Sequence, residues 1–521
     1  MSHTSSHSSL RAGQRAWWPP LSRVVRSHIF LLALLAGQFA LTQLITGPQY
    51  GDAPRNLHWG VLTAENPAFL LGEPDTYERI KGFPPEPESL APRGLYRSEP
   101  GDLHPWWGPV APLLFALVWR LSGSYTLLEL VVPVAGGGAV LLTYVLGRDL
   151  LGRRGGLLAA ALLACFPLYR EFAVVSYTEA LSALALTAAL LVYLRGRTLA
   201  TVLLGALAAL CKMDILLLYF GTVGITAAYA LLVVTRGSSS THSVVMGGRR
   251  HHALALIGPA LLASPWVWTH HLGGGAGGPT GGLSAGLFGI IAPQMLELLL
   301  YIPWYGALIT LAAIGWCVWR GIAALWADGA RGPVILLCAW LGLGVLVLLV
   351  YAATPGAGNS PRVVIPALPP LAVLFAAGFP RLPAAWRRRV GFYLVVLFTL
   401  INAVAIGYYA LEGMRLRSYE PVWAVLRGQP RGYVLTEQYW PAVLYTRQQA
   451  TWFEADAAFE RNIMRDGANF ARYVERNPVR YVVLPAEGDR LASPAVRAYL
   501  EARGRGIRAG EHTVYVLGER R

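Results

Sequence analysis

Charge is scarce in this chain. Only 14% of its 521 residues are Asp, Glu, Lys or Arg, where soluble domains carry about a quarter. With 55% hydrophobic residues and a mean hydropathy of +0.44, the composition excludes a soluble enzyme and describes a polytopic membrane protein. Cysteine is scarcer still. Cys165, Cys211, Cys317 and Cys338 each sit in an apolar stretch without metal-ligand spacing, so they read as small buried hydrophobes rather than as disulfide partners. There is no phosphate-cradling glycine loop, because the glycine runs at 136–138 and 273–278 follow no strand and lack a Walker lysine. No duplicated halves appear, which argues against a transporter built on repeats. The net charge of +15 does not indicate a nucleic-acid partner, since the arginines stand in short clusters between apolar runs.

What is present is a series of apolar runs. Given about 20 residues per crossing, those near 29–47, 125–147, 155–170, 177–194, 199–217, 219–235, 253–272, 298–319, 333–353, 363–379 and 391–411 predict about eleven transmembrane helices. Segment 1–28 is too long and polar for a signal-peptide head, and no small-residue cleavage site follows the first run, so that run is expected to stay as an anchor. A further run at 106–119 is interrupted by Pro109 and Pro112. As a helix it is about 22 Å long, short of the roughly 30 Å hydrocarbon core. If it does not cross, eighteen arginines fall in the N-terminal tail and in 148–154, 195–197, 236–252, 320–332 and 380–390, leaving only Arg170 and Arg362 in the short loops of the other side. That bias assigns the tail to the cytoplasm. The run at 104–123 is then a juxtamembrane helix on the outer surface, its Trp106 and Trp107 suited to the interface.

The predicted organisation is therefore a cytoplasmic tail (1–28), a mostly α membrane domain (29–411) whose first outer loop spans 48–124, and a small extracytoplasmic α/β domain (412–521). In the last, 432–437, 480–487 and 513–519 read as strands and 495–504 as a helix stopped by glycine.

The acids follow this division. Nine of 29 fall in 48–106 and thirteen in 412–521, leaving seven for 107–411. Asp149 and Asp328 belong to cytoplasmic loops. Glu129, Glu171, Glu179, Asp214 and Glu297 fall in the outer half of the membrane, where a carboxylate is costly and needs a partner or a function. Asp52, just past the first crossing, shares a side with Glu171 and Glu179, so these three are expected to converge on one outer cavity. Asp52 also reads as a helix cap before "APRN". Lys212 and Asp214, two apart in one helix, would not face each other, and each should have another partner. Arg362 opens a helix against its dipole, a placement that suits anion binding.

The order of these parts resembles the GT-C superfamily of membrane glycosyltransferases that use polyprenyl-phosphate sugars, particularly the branch of protein O-mannosyltransferases and lipid A aminoarabinose transferases. The family's acid after the first helix is matched by Asp52 in "YGDAPRNL". Its juxtamembrane helix opening with His-Pro is matched by "DLHPWWGPVAPLLFALVWRLSG", which contains His104. Its second acid is matched by Glu179 in "SYTEALSALAL", its mid-helix cation by Lys212 in "LLGALAALCKMDILLL", and its basic, proline-rich approach to a late helix by Arg362 in "SPRVVIPALPPL". Two positions depart from the pattern. Glu129 stands where the family often has a phosphate-binding arginine, and Ala53 follows Asp52 where a second acid is frequent, a role open to Glu73 or Asp75.

The resemblance implies transfer of a sugar from a polyprenyl-phosphate donor to a lipid, protein or polysaccharide acceptor at the outer face of the inner membrane. Asp52 would serve as general base and Glu179 as second catalytic acid, with Lys212, Arg362, Arg170, His104 and Glu171 holding substrate or phosphate. No cofactor is expected, although a divalent metal would be compatible with the superfamily. A ligase or polymerase of lipid-linked glycans, a transporter and a non-catalytic assembly protein are the alternatives.

Overall fold

The computed structural model of the chain describes residues 53–67, 108–235, 248–268, 285–353, 361–452, 463–476, 479–486 and 492–518, with Leu70 and scattered positions between 31 and 41. Asp52, Glu73, Asp75, His104 and the N-terminal tail lie outside the described residues.

Two short helices follow the first apolar run, α1 (Ala53–Glu65) and α2 (Val110–Ser122). Pro54 sits in the first turn of α1, where its missing N–H costs nothing. The two pack closely: a Cβ on Gly60 would lie 2.1 Å from that of Phe115. At 13 residues, α2 is about 20 Å long, too short to cross the hydrocarbon at right angles.

The membrane part begins with a short turn (Tyr125–Glu129) and α3 (Val131–Cys165), which is interrupted at Gly152 with φ 76°. Gly147 and Gly156 would stand about 13 Å apart in a straight helix, yet a Cβ on Gly147 would lie 2.9 Å from the Gly156 Cα. The chain therefore doubles back at Gly152, giving the two arms expected at 125–147 and 155–170. The next helices are α4 (Pro167–Phe172), α5 (Glu179–Leu194), α6 (Thr198–Ala209), α7 (Met213–Thr235), α8 (Arg249–Val267), α9 (Ala285–Leu300), α10 (Trp304–Ala327) and α11 (Arg331–Ala353). A 3₁₀ segment (Pro361–Ala367) then leads into α12 (Leu368–Gly378), and α13 (Ala384–Arg417) follows. Among the described residues six helical stretches are long and apolar enough to cross a membrane.

One boundary differs from expectation. The sequence places a single helix over 199–217, but the chain breaks at 210–212, between α6 and α7. The carbonyls of Cys211 and Leu210 accept the backbone N–H groups of Gly108 (3.2 Å) and Val110 (3.4 Å), so the break satisfies backbone groups that a helix end leaves open. Only glycine fits at 108, since a Cβ would lie 1.7 Å from the Leu210 oxygen.

The C-terminal part adds α14 (Glu420–Arg427), α15 (Tyr439–Thr446), α16 (Gly467–Arg476) and α17 (Pro494–Arg503) around a five-stranded sheet. Its strands are β1 (Tyr433–Thr436), β2 (Gln449–Trp452), β3 (Val479–Pro485), β4 (Gly504–Ala509) and β5 (His512–Leu517), in the order β2-β1-β3-β5-β4. β1 runs parallel to β2 and β3, while β5 is antiparallel to β3 and β4. Alternate residues of β3 serve two cores. Val482 and Leu484 pack with Phe470, Val496 and Leu500, whereas Tyr481 and Val483 pack with Val422, Trp423 and Trp440. Strands β1, β3 and β5 and the helix at α17 fall where the sequence predicts them. Strands β2 and β4 do not stand out there, the first being four residues long and the second a largely exposed edge rich in Gly and Arg.

The sheet unit is fastened to one end of the helical bundle. Glu437 accepts Arg415 Nη2 at 3.1 Å and the Tyr419 hydroxyl, tying β1 to the end of α13. Helix α15 reaches further. The Tyr125 hydroxyl donates to the Leu444 carbonyl (2.8 Å), Arg447 pairs with Glu65 (2.5 Å), and the Arg55 guanidinium lies 5.1 Å from the Trp59 ring and 5.8 Å from the Trp440 ring.

Candidate active site

Glu179 opens α5, where a carboxylate complements the positive end of the helix dipole. Its side chain is 1% exposed and its Oε1 lies 3.1 Å from Lys212 Nζ and 3.4 Å from Arg362 Nε. Lys212 also reaches Asp214 Oδ2 at 3.5 Å. The expectation that Lys212 and Asp214 look away from each other is therefore corrected. It assumed an unbroken helix, and the break at 210–212 frees Lys212 from helical geometry. Arg362 lies in the 3₁₀ segment, and its guanidinium carbon stands 4.8 Å from the centre of the Tyr177 ring.

The four charged groups come from three separate parts of the chain and sum to zero. Their exposure is graded: Glu179 is 1% exposed, Asp214 5%, Lys212 10% and Arg362 21%. The carboxylates form a buried floor and the cations a more open rim. Such a floor fixes the cations in place and offsets part of their desolvation cost, which prepares a site for an anion arriving from the open side.

The segment around α1 and α2 grips both turns that carry this cluster. Gly108 and Val110 hold the turn before Lys212, as described above. From α1, Asn56 donates its Nδ2–H to the Ser176 carbonyl at 2.9 Å, three residues before Glu179. Asp52, the residue before α1 in the sequence, lies outside the described residues.

The remaining candidates are placed elsewhere. Arg170 and Glu171 line a small cavity with Leu41, Pro167, Tyr301, Asn402 and Tyr409, and no member of the Glu179 cluster lines it. Glu129 accepts the Tyr445 hydroxyl at 2.6 Å and belongs to the seam with the sheet unit, which accounts for an acid at a position where phosphate binding would call for a cation. Asp149 pairs with Arg195 (2.6 Å) and Asp328 with Arg381 (2.6 Å), as loop acids beside clustered arginines should. Among the described residues no group of three or more His, Cys, Asp or Glu could hold a metal ion. Sequence reasoning missed Asn56, Tyr177 and Gly108. A polar Asn in an apolar helix one turn past Asp52 was a readable signal for the first, whereas the other two depend on tertiary proximity alone.

No family profile matches the chain, and no curated protein sequence does. Solved structures do. The chain is similar to ArnT from Cupriavidus metallidurans bound to undecaprenyl phosphate, with a TM-score of 0.54 at 12% identity over 95% of this chain and 98% of that one. The apo state of the same protein gives 0.52 at 12% identity over 94% and 98%. AglB, the archaeal oligosaccharyltransferase from Archaeoglobus fulgidus, gives 0.44 at 13% identity over 94% of this chain and 74% of that one. The chain therefore shares the fold of ArnT along nearly its whole length.

Proposed function

We propose that this protein transfers a sugar from a polyprenyl-phosphate donor to an acceptor hydroxyl or amine at the outer face of the inner membrane. The observation that carries the reading is the pair of cations, Lys212 and Arg362, held side by side on one buried carboxylate. Two fixed cations beside an apolar bundle suit a phosphate whose tail lies in lipid. ArnT, whose fold the chain shares, has been seen with undecaprenyl phosphate bound.

In this scheme Asp52 takes the proton from the acceptor as its oxygen or nitrogen attacks the anomeric carbon. The bond from that carbon to the phosphate oxygen breaks, the configuration inverts, and polyprenyl phosphate leaves with the electron pair. Lys212 and Arg362 stabilise the charge growing on the departing phosphate, a contribution that is largest when the cations need no rearrangement. Glu179, at 1% exposure, acts by fixing those cations rather than by touching sugar. The sugar, hexose or pentose, projects from the membrane toward the space beneath α1. Segment 29–411 carries the reaction with eleven crossings, an N-terminus in the cytoplasm and the sheet unit of 412–521 outside.

The test is genetic and chemical. Deleting the gene and complementing with wild type or Asp52→Asn, followed by mass spectrometry of envelope glycans and lipid-linked sugars, should show rescue by wild type alone and a donor that accumulates in the mutant. Equal rescue by both would sink the catalytic role of Asp52. Absence of any accumulated lipid-linked sugar would sink the donor class, and accumulation of a long oligosaccharide would turn the reading into a ligase.

A further inference from the structure

We infer that the arginine-rich corner at the end of the bundle away from the sheet unit binds a phospholipid whose headgroup carries two phosphodiesters, held by Arg320 and Arg387 on the turn between α12 and α13.

The end of α10, the start of α11, the end of α12 and the start of α13 supply this corner with Arg320, Arg331, Arg381, Arg387, Arg388 and Arg389, all exposed. Asp328 is the one acid in the sequence between 298 and 411. It pairs with Arg381 at 2.6 Å, and none of the other five arginines has an ion pair among the described residues. The corner thus concentrates positive charge that the chain itself does not neutralise.

Two of these arginines are fixed by backbone instead. Between α12 and α13 lies a 3₁₀ turn, Phe379–Arg381. Arg387 Nη1 donates to the Pro380 carbonyl at 2.9 Å, and Arg320 Nη2 donates to the Arg381 carbonyl at 3.2 Å. Guanidinium groups from two different helices are therefore drawn onto adjacent carbonyls. Capping the end of α12 accounts for one donor of each. A guanidinium has five, in a planar fork that takes phosphate oxygens two at a time. Two anchored forks side by side, with no carboxylate between them, match two phosphates joined by a short bridge.

The surroundings point to a lipid rather than a soluble anion. Trp319 and Trp386, next in sequence to Arg320 and Arg387, have exposed rings, as has Trp326. The Arg389 guanidinium stands 5.8 Å from the Trp386 ring and that of Arg331 5.6 Å from the Trp326 ring, while Trp386 packs edge-on against Trp316 of α10 at 5.5 Å. Exposed indoles among cations mark the depth of lipid headgroups. Along α13, Arg389 and Arg415 stand about 39 Å apart at ~1.5 Å per residue, and Arg415 is the residue that pairs with Glu437 of the sheet unit. That separation exceeds the roughly 30 Å hydrocarbon core. The corner accordingly lies at the membrane surface opposite the sheet unit, where a basic cluster draws anionic lipid.

The experiment titrates the full-length, detergent-solubilised protein with cardiolipin, phosphatidylglycerol or phosphatidylcholine at equal phosphate, read by native mass spectrometry. Three forms are compared: wild type, Arg320→Gln/Arg387→Gln, and Arg249→Gln/Arg250→Gln, which removes the same charge from the exposed start of α8. Wild type should bind cardiolipin about tenfold or more tighter than phosphatidylglycerol, because the second phosphate engages within the same molecule. Arg320→Gln/Arg387→Gln should lose cardiolipin affinity by about tenfold or more, the effect of two missing charge-assisted contacts, and Arg249→Gln/Arg250→Gln should stay within about twofold of wild type. Equal loss in the two double variants, or no loss in Arg320→Gln/Arg387→Gln, reduces the corner to a diffuse field of arginines and overturns the inference. So does equal affinity of wild type for cardiolipin and phosphatidylglycerol, a comparison that needs no variant. Inorganic pyrophosphate at equal phosphate should leave cardiolipin bound. Its displacement would make this a site for a soluble anion and overturn the lipid assignment.

Discussion

Lys212 Nζ lies 3.1 Å from Glu179 Oε1, and neither residue has more than a tenth of its side chain in contact with solvent. Breaking a buried pair by removing one partner strands the other charge, at a cost of about 3–5 kcal/mol. Lys212→Met should therefore abolish sugar transfer and also lower the melting transition of the detergent-solubilised protein. Lys212→Arg keeps the charge and should retain stability. Thermal melts monitored by tryptophan fluorescence separate the two.

Arg362 stands on the open side of the same cluster. With 21% of its side chain exposed, its removal uncovers less buried charge. Arg362→Gln should leave the melting transition within a few degrees of wild type, while the lost charge-assisted bond, worth about 1.5–3 kcal/mol, weakens undecaprenyl-phosphate binding by roughly tenfold to a hundredfold. Titration of purified protein with the lipid phosphate measures this directly.

The seam between the sheet unit and the helices offers a contest of magnitudes. Arg447–Glu65 is the shorter contact at 2.5 Å, but Glu65 is 53% exposed, and exposed pairs contribute about 0.2–1 kcal/mol. The Tyr445 hydroxyl on Glu129 is 2.6 Å long and largely buried, where a bond to a charged acceptor contributes about 1.5–3 kcal/mol. Tyr445→Phe should consequently destabilise the protein more than Arg447→Ala, and double-mutant cycles with Glu129→Gln and Glu65→Ala should rank the couplings in the same order.

His58 on α1 is 3% exposed, and burial, helped by the nearby Arg447 guanidinium, pushes its pKa down from 6.5 to about 3. The folded state thus binds fewer protons than the unfolded state between those two values. Stability from this group is complete above pH 6.5 and falls as the pH drops toward 3, with a slope of about 1.4 kcal/mol per pH unit. Melting temperatures of wild type and His58→Gln, compared from pH 8 to pH 4, should converge as the pH falls.

Gly108→Ala tests the contact between the residues before α2 and the break before α7. Its Cβ would land 1.7 Å from the Leu210 oxygen, so residues 108–110 must lift off the turn that presents Lys212. Loss of transfer with retained expression is the expected outcome, scored by complementation of the deletion strain.

Much of this arrangement is written in the sequence. Membrane spans follow from hydropathy, and Glu179, Lys212, Asp214 and Arg362 stand out as candidates because only seven acids lie between 107 and 411 and few cations fall outside the arginine clusters. What stays hidden is pairing. The break at 210–212 has no proline or glycine to announce it, because the partners that stabilise it, Gly108 and Val110, lie a hundred residues away. Glu129 looks like a departure from an expected cation until Tyr445, 316 residues further on, is found beside it.

The fastening of α1 to α15 has a bearing on how the chain is made. Arg447 and Glu65 are 382 residues apart, and at about 5–20 residues per second a ribosome needs about 20–80 seconds to bridge that interval. Throughout it, the aromatic surface around Arg55 and Trp59 waits uncovered for Trp440. The seam between α1 and α15 thus closes late in biosynthesis, once the last eighty or so residues have been made, and truncation after α13 leaves α1 packed on α2 but lacking its contacts with α15.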